Sequence, residues 1–136
     1  MGSRKWLGLV ASVVLVSVCY GAMTPKAENN MGRAYKFGLH GVPQNFQKSV
    51  YWFRKAARQG NASAEDNLGF AYDSGMGVPK NYQKAVYWWR KAARQGKADA
   101  DNFLADAYKY GQGVPKNHQR SAYWSRKAYN RINGSR

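Results

Sequence analysis

One block of residues returns in this chain every 36 positions. Val42-Pro43 reappears as Val78-Pro79 and Val114-Pro115, and Trp52 as Trp88 and Trp124. The run Tyr51 to Gly60 is repeated almost unchanged as Tyr87 to Gly96. A period of this length, punctuated by glycine and proline, excludes most folds and points to a stack of similar helical modules. Such stacks work mainly as surfaces. The period therefore predicts a class of job before it predicts a partner.

Each period reads as two helices. In the second copy, Ser63 is a candidate N-cap with Asp66 three residues on, and Ala64, Leu68, Ala71 and Tyr72 share one helical face. Gly75-Met76-Gly77 ends that helix, because glycine tolerates the positive φ of a tight reversal. Val78-Pro79 forms an extended step, and Asn81 caps a second helix running to about Gln95 and stopped by Gly96. On that helix Ala85, Trp88, Trp89, Ala92 and Ala93 lie on one side, with Lys84, Arg90, Lys91 and Arg94 on the other. The alanines allow close helix approach, and Trp88 with Tyr72 is expected to fill the space between hairpins. The third copy departs where a chain end should. Ser125 replaces Phe53 and Trp89, and Tyr129-Asn130-Arg131 replaces Ala-Arg-Gln, which reads as a terminal cap.

The first 22 residues differ from the rest. Arg4 and Lys5 precede an apolar run, Trp6 to Cys19, which ends at the small residues Gly21 and Ala22. This is the pattern of a cleaved export leader over 1–21, and it implies a periplasmic or secreted protein. Retention as an anchor is the alternative, but the run is short for a membrane span of about 20 residues. Lipidation at Cys19 is a second alternative, and Val18 stands where a small residue belongs. Cys19 is the only cysteine, so the remainder carries no disulfide framework. Taking Arg4 and Lys5 from the 22 basic residues leaves 20 against 7 acidic ones, a net charge of +13. Such a field favours acidic partners and polyanions.

The pattern Ala-x3-Leu-Gly-x2-Tyr-x2-Gly-x-Gly-Val-x3-Asn-x2-Lys-Ala-x2-Trp-x2-Lys-Ala-Ala, here Ala64 to Ala93, closely resembles Sel-one-like repeats, relatives of tetratricopeptide repeats. The resemblance covers about residues 27 to 132. Asn45, Asn81 and Asn117 stand where that family often has Asp, and Ala105 where Gly is usual. The resemblance implies an all-α, right-handed superhelix of three antiparallel helix hairpins, approximately 27–60, 61–96 and 97–132 within a 22–132 solenoid, followed by a 133–136 tail. It also implies an adaptor role, of which an immunity-type inhibitor of a delivered toxin is the most concrete form. A cysteine-rich branch of the family is linked to β-lactam binding. This chain lacks those cysteines, and that activity is not carried over.

Two surfaces could hold a partner. Arg54, Arg90 and Arg126 form one basic ladder, Lys55, Lys91 and Lys127 another, and Lys48, Lys84 and Arg120 a third, with Arg58 and Arg94 beside them. They read as a solvated outer face or as a dock for an acidic protein, anionic lipid, lipopolysaccharide or nucleic acid. The first helices carry most of the acid (Glu28, Glu65, Asp66, Asp101, Asp106) and, by the resemblance, line the concave side. There Arg33, Lys36, Phe37, Phe70, Asp73, Phe103, Asp106 and Tyr110 point away from the core. Phe70, Phe103 and Tyr110 are expected to face water, either tucked against loops or serving as anchors for a partner protein.

Signals for chemistry are weak. His40 and His118 have no second ligand at metal-binding spacing. The Gly-x-Gly at Gly75 and Gly77 has no preceding strand, so it reads as a hairpin turn rather than a phosphate loop. No nucleophile motif appears. The expectation is a non-enzymatic protein without cofactor, metal or small-molecule substrate.

Overall fold

The computed structural model describes residues 23–134. The export leader expected over 1–21, the Cys19 alternative included, lies outside the described residues. Six helices follow one another: α1 (Pro25–Phe37), α2 (Phe46–Arg58), α3 (Ala62–Ser74), α4 (Tyr82–Arg94), α5 (Ala98–Tyr110) and α6 (His118–Asn133). There is no strand among the described residues. They pair as α1–α2, α3–α4 and α5–α6, and successive hairpins pack through α2 on α3 and α4 on α5. The expected all-α array of three hairpins is what the chain forms.

Local chemistry sets each hairpin. The first helix ends at a glycine in the left-handed region: Gly38, Gly75 or Gly111. The second begins at an asparagine whose side chain accepts from the backbone N–H three residues on, at 2.9 Å for Asn45, Asn81 and Asn117 alike. The same asparagine donates its own N–H to a tyrosine carbonyl of the first helix, at 2.8 Å in all three hairpins (Tyr35, Tyr72, Tyr108). One residue thus starts a helix and closes the hairpin.

α3 starts two residues earlier than the Ser63 cap predicts. Asn61 caps it, accepting from the Ala64 N–H at 2.8 Å. Both residues are good caps. Asn61 prevails, and Ser63 instead accepts from Lys97 Nζ at 3.3 Å on the next hairpin.

Helix contact relies on small residues. Ala56, Ala57, Ala64, Ala85, Ala92, Ala93 and Ala100 are wholly buried. A Cβ at Gly32 would lie 2.5 Å from the Phe53 ring, and one at Gly69 as close to the Trp89 indole. Phe53 and Trp89 are therefore the rings that fill the first two hairpins. Trp88, expected to fill the space between hairpins, packs against the core only in part. Trp52, Trp88 and Trp124 sit one residue away, at the margin of the buried face, and are only half-buried.

Three carboxylates are buried, which their charge alone does not announce. Glu28 accepts from Gln59 Nε2 at 2.6 Å and lies 3.6 Å from Lys55 Nζ. Glu65 accepts from Gln95 Nε2 at 2.9 Å, and Asp101 accepts from Arg131 Nε. Gln59, Gln95 and Arg131 occupy equivalent positions at the ends of α2, α4 and α6. Gln95 and Arg131 also reach backward, to the carbonyls of Gly60 (2.9 Å) and Ala93 (2.8 Å). Glu65 and Asp101 thus each anchor a donor that ties its hairpin to the previous one, while Glu28 holds Gln59 within the first hairpin.

The two ends differ. At the carboxyl end, Ala122, Ser125 and Tyr129 replace residues buried in the earlier hairpins, and all three are exposed. The expected cap is present, although Tyr129 and Ile132 make it partly apolar. At the amino end, an open trough of about 680 Å³ lies beside Met23, Met31, Ala34, Leu39 and Val42.

Candidate functional site

The residues expected on the first-helix face fall into two groups. Lys36 sits with its ammonium 4.4 Å above the Phe70 ring, and Phe70 lies 6.5 Å from Phe103. Phe103 stacks on Trp89 at 4.8 Å with the rings nearly parallel. A run of aromatic rings therefore joins the second and third hairpins, with Lys36 of the first laid over its Phe70 end. Asp73, Phe103, Asp106 and Tyr110 line one slot of about 260 Å³ together with Trp89 and Gln112. Arg33 stands apart, facing the amino-terminal trough.

Exposure amends one expectation. Phe70 and Phe103 do not stand free in water; both are half-buried, and Phe103 packs against the core. Phe37 and Tyr110, at 55% and 60% exposed, are the outward aromatics. Trp89 and Gln112 were not expected in the site. Trp89 belongs to the core by its helical position, and its contribution to the slot emerges only when α5 stacks on α4.

The electrostatics of this face follow from burial. Lys36 is held below the usual lysine range mainly by desolvation, opposed by the charge of Asp66. Asp66 is pushed up to about 6, first by burial and then by the nearby Asp99. One of its oxygens is buried with no hydrogen-bond partner among the described residues. The folded state thus holds this proton more tightly than the unfolded chain. The stability gained is full below pH 4 and is lost as pH rises through about 6. Because Asp66 keeps some contact with water, the loss is about 1–2 kcal/mol rather than the full linkage value. Asp66→Asn should raise stability at pH 7 by that amount and flatten the curve between pH 4 and 6. Urea titrations across that range check it; a parallel offset at all pH values would contradict it.

The second helices carry a different pattern. Tyr51, Tyr87 and Tyr123 stand edge-on to Trp52, Trp88 and Trp124 at 5.1–5.3 Å. Lys55, Lys91 and Lys127 lie over those tryptophans at 5.3, 5.0 and 4.8 Å. The three tyrosines are more than half exposed. Part of the basic ladder has structural work. Arg54 donates to the Tyr72 hydroxyl at 3.2 Å and Arg90 to that of Tyr108 at 2.9 Å, across the hairpin junctions. Among the described residues no hairpin follows for Arg126 to reach. Burial raises the Tyr108 hydroxyl, yet hydrogen bonds from Arg120 and Arg90 bring it below its ordinary value.

No group of three or more His, Cys, Asp or Glu is placed to hold a metal ion among the described residues. No described helix is long and apolar enough to cross a membrane.

The model of the Sel1 repeat matches residues 25–61, 62–97 and 98–133, which is most of the chain. The chain belongs to the Sel1 repeat family. Repeats of this family serve as protein-interaction scaffolds. Among solved structures, the chain is similar to a Sel1 repeat protein from Oxalobacter formigenes, at 38% identity and a TM-score of 0.77, over 85% of this chain and 87% of that one. It is equally similar to a protective antigen of uropathogenic Escherichia coli with an SLR fold, at 37% identity and a TM-score of 0.77. That match covers 80% of this chain but only 23% of the antigen, so the chain spans about a quarter of that relative's length. The cysteine-rich protein B of Helicobacter pylori shares the fold, with 24% identity and a TM-score of 0.63, over 78% of this chain and 86% of that one. No curated protein matches.

Proposed function

We propose that this Sel1 repeat protein is an exported, non-enzymatic scaffold that holds one partner protein on its first-helix face. The observation that carries this reading is the aromatic run from Phe70 through Phe103 to Trp89, bordered by the exposed Phe37 and Tyr110. Large rings at the edge of a rigid surface are the groups that dominate protein binding energy. Lys36, Asp73 and Asp106 surround them with charge of both signs, which supplies register. Export rests on the basic, apolar and small-residue succession over 1–21. Inhibition of a delivered toxin is the most concrete form of the role, since it needs one rigid face matched to one target.

The exposed Tyr51, Tyr87 and Tyr123, each with lysine and arginine alongside, favour a second reading in which the basic face binds a polyanion. One experiment separates the two. The mature protein immobilised over a periplasmic extract should capture a single stoichiometric protein, and Phe70→Ala with Tyr110→Ala should reduce capture at least about tenfold, as expected for two anchor residues. Capture that survives the double change but vanishes at high salt assigns binding to the basic face instead.

A further inference from the structure

We infer that the face formed by the second helices docks the protein on an anionic lipid bilayer, with its lysines and arginines against phosphate headgroups and its exposed tyrosines in the headgroup layer. This rests on the second reading above, in which the basic face binds a polyanion, and it names the polyanion. It leaves the first-helix face open for a partner protein.

The chain builds that face three times. Tyr51, Arg54, Lys55 and Arg58 follow helical spacing, so they share one side of α2, and they line one open recess. Tyr87, Arg90, Lys91 and Arg94 do the same on α4. Tyr123, Arg126 and Lys127 repeat the register on α6. The stack sets the copies in line, since Arg54 reaches Tyr72 and Arg90 reaches Tyr108 by the same step from hairpin to hairpin. No acidic residue occurs in α2, α4 or α6. Of the cations on this face, only Lys55 has a carboxylate within 4 Å among the described residues. Positive charge gathered on one side and left largely unneutralised complements a surface dense in phosphate.

Charge alone does not choose among polyanions; the tyrosines do. Each packs edge-on against its neighbouring tryptophan and is still 55–58% exposed. Rings held in water at one register in every copy carry a cost that a soluble anionic chain does not offset. A bilayer surface gives the same ring a place, because its apolar body meets the acyl boundary while its hydroxyl stays hydrated. The long stems of the flanking lysines and arginines fit the same boundary, with their charged ends in the headgroups. Stacking on nucleobases is served less well. Lys91 and Lys127 lie over the Tyr87 and Tyr123 rings at 5.7 Å, which occupies one face of each.

The test is co-sedimentation of the mature protein with lipid vesicles. It should pellet with vesicles of phosphatidylglycerol and phosphatidylcholine in equal parts and stay in solution with phosphatidylcholine alone. Arg58→Gln with Arg94→Gln, at exposed positions without an ion pair among the described residues, should lower the partition coefficient about 25-fold, at about fivefold per charge. Tyr51→Ser, Tyr87→Ser and Tyr123→Ser together should lower it at least about tenfold. The same triple change should leave binding to single-stranded oligothymidylate, a soluble polyanion, unaltered. The far-ultraviolet spectrum and urea midpoint check that both variants keep the fold. Equal sedimentation with charged and neutral vesicles overturns the lipid dock. So does a triple variant that binds charged vesicles as wild type does, or that loses oligothymidylate instead, which would assign the face to nucleic acid. Binding to oligothymidylate but not to vesicles removes the lipid and keeps the polyanion reading; binding to neither removes both. The first-helix reading is decided separately, by Phe70 and Tyr110.

Discussion

Replacing Arg131 by alanine is expected to destabilise the protein by about 3 kcal/mol, because it strips a buried carboxylate of its partner. Asp101 is 0% exposed, and Arg131 is the only cation paired with it among the described residues. One Asp101 oxygen already lacks a hydrogen bond, so little local polarity remains to absorb the loss. The same guanidinium holds the Ala93 carbonyl at 2.8 Å, so the last hairpin also loosens from the second. The earlier hairpins suggest the rescue. Glu65 with Gln95 solves the same problem without a formal ion pair. Arg131→Gln combined with Asp101→Glu should therefore recover most of the loss, whereas Arg131→Gln alone should recover less, since the shorter Asp101 meets a shorter donor. Urea unfolding followed by circular dichroism measures all three. A cost below about 1 kcal/mol for Arg131→Ala would mean that water replaces the guanidinium freely.

Gly77→Ala is the second large effect. A Cβ there would overlap the Phe46 carbonyl and lie 2.9 Å from the Gln47 nitrogen, all backbone of the preceding hairpin. Backbone cannot swing aside like a side-chain tip, so the two hairpins must part. Overpacking of this kind costs about 1–3 kcal/mol, and the φ of +75 adds about 1 more for any residue with a side chain. The matching residue in the first hairpin provides the control. Gly41 has nearly the same φ, +78, but nothing within 4 Å of its Cβ position among the described residues. Gly41→Ala should cost about 1 kcal/mol, and the difference between the variants isolates the junction. Equal costs would show that backbone conformation, not close approach, explains the glycine. Thermal and urea unfolding of the two variants side by side decide the matter.

Much of the fold is legible in the sequence because its determinants are local. Gly75, Asn81 and the alanine pair Ala92–Ala93 each act within a few residues of themselves, and the period multiplies the signal threefold. What escapes is what only stacking creates. The burial of Glu28, Glu65 and Asp101 has no mark along the chain, because their donors are about 30 residues away and meet them only once each hairpin has closed. Trp88 and Trp89 are adjacent, and 100° of helix rotation decides which is buried; the recurrence of Trp88 in every copy draws attention to the wrong one. On the candidate site, the outward placement of Tyr110 and Asp106 is legible from helical phase. The half-burial of Phe103 is not, since it depends on a ring contributed by the preceding hairpin. The pairing of Asp73 with Asp106 in one recess likewise spans two hairpins and has no signature along the chain.

The bulky Tyr129, 64% exposed where the earlier hairpins bury Ala57 and Ala93, gives the stack a polarity of growth. A designer who wished to add a module behind Asn133 would first have to cut the phenol back to a methyl group and restore the apolar partners that Ala122 and Ser125 withdraw.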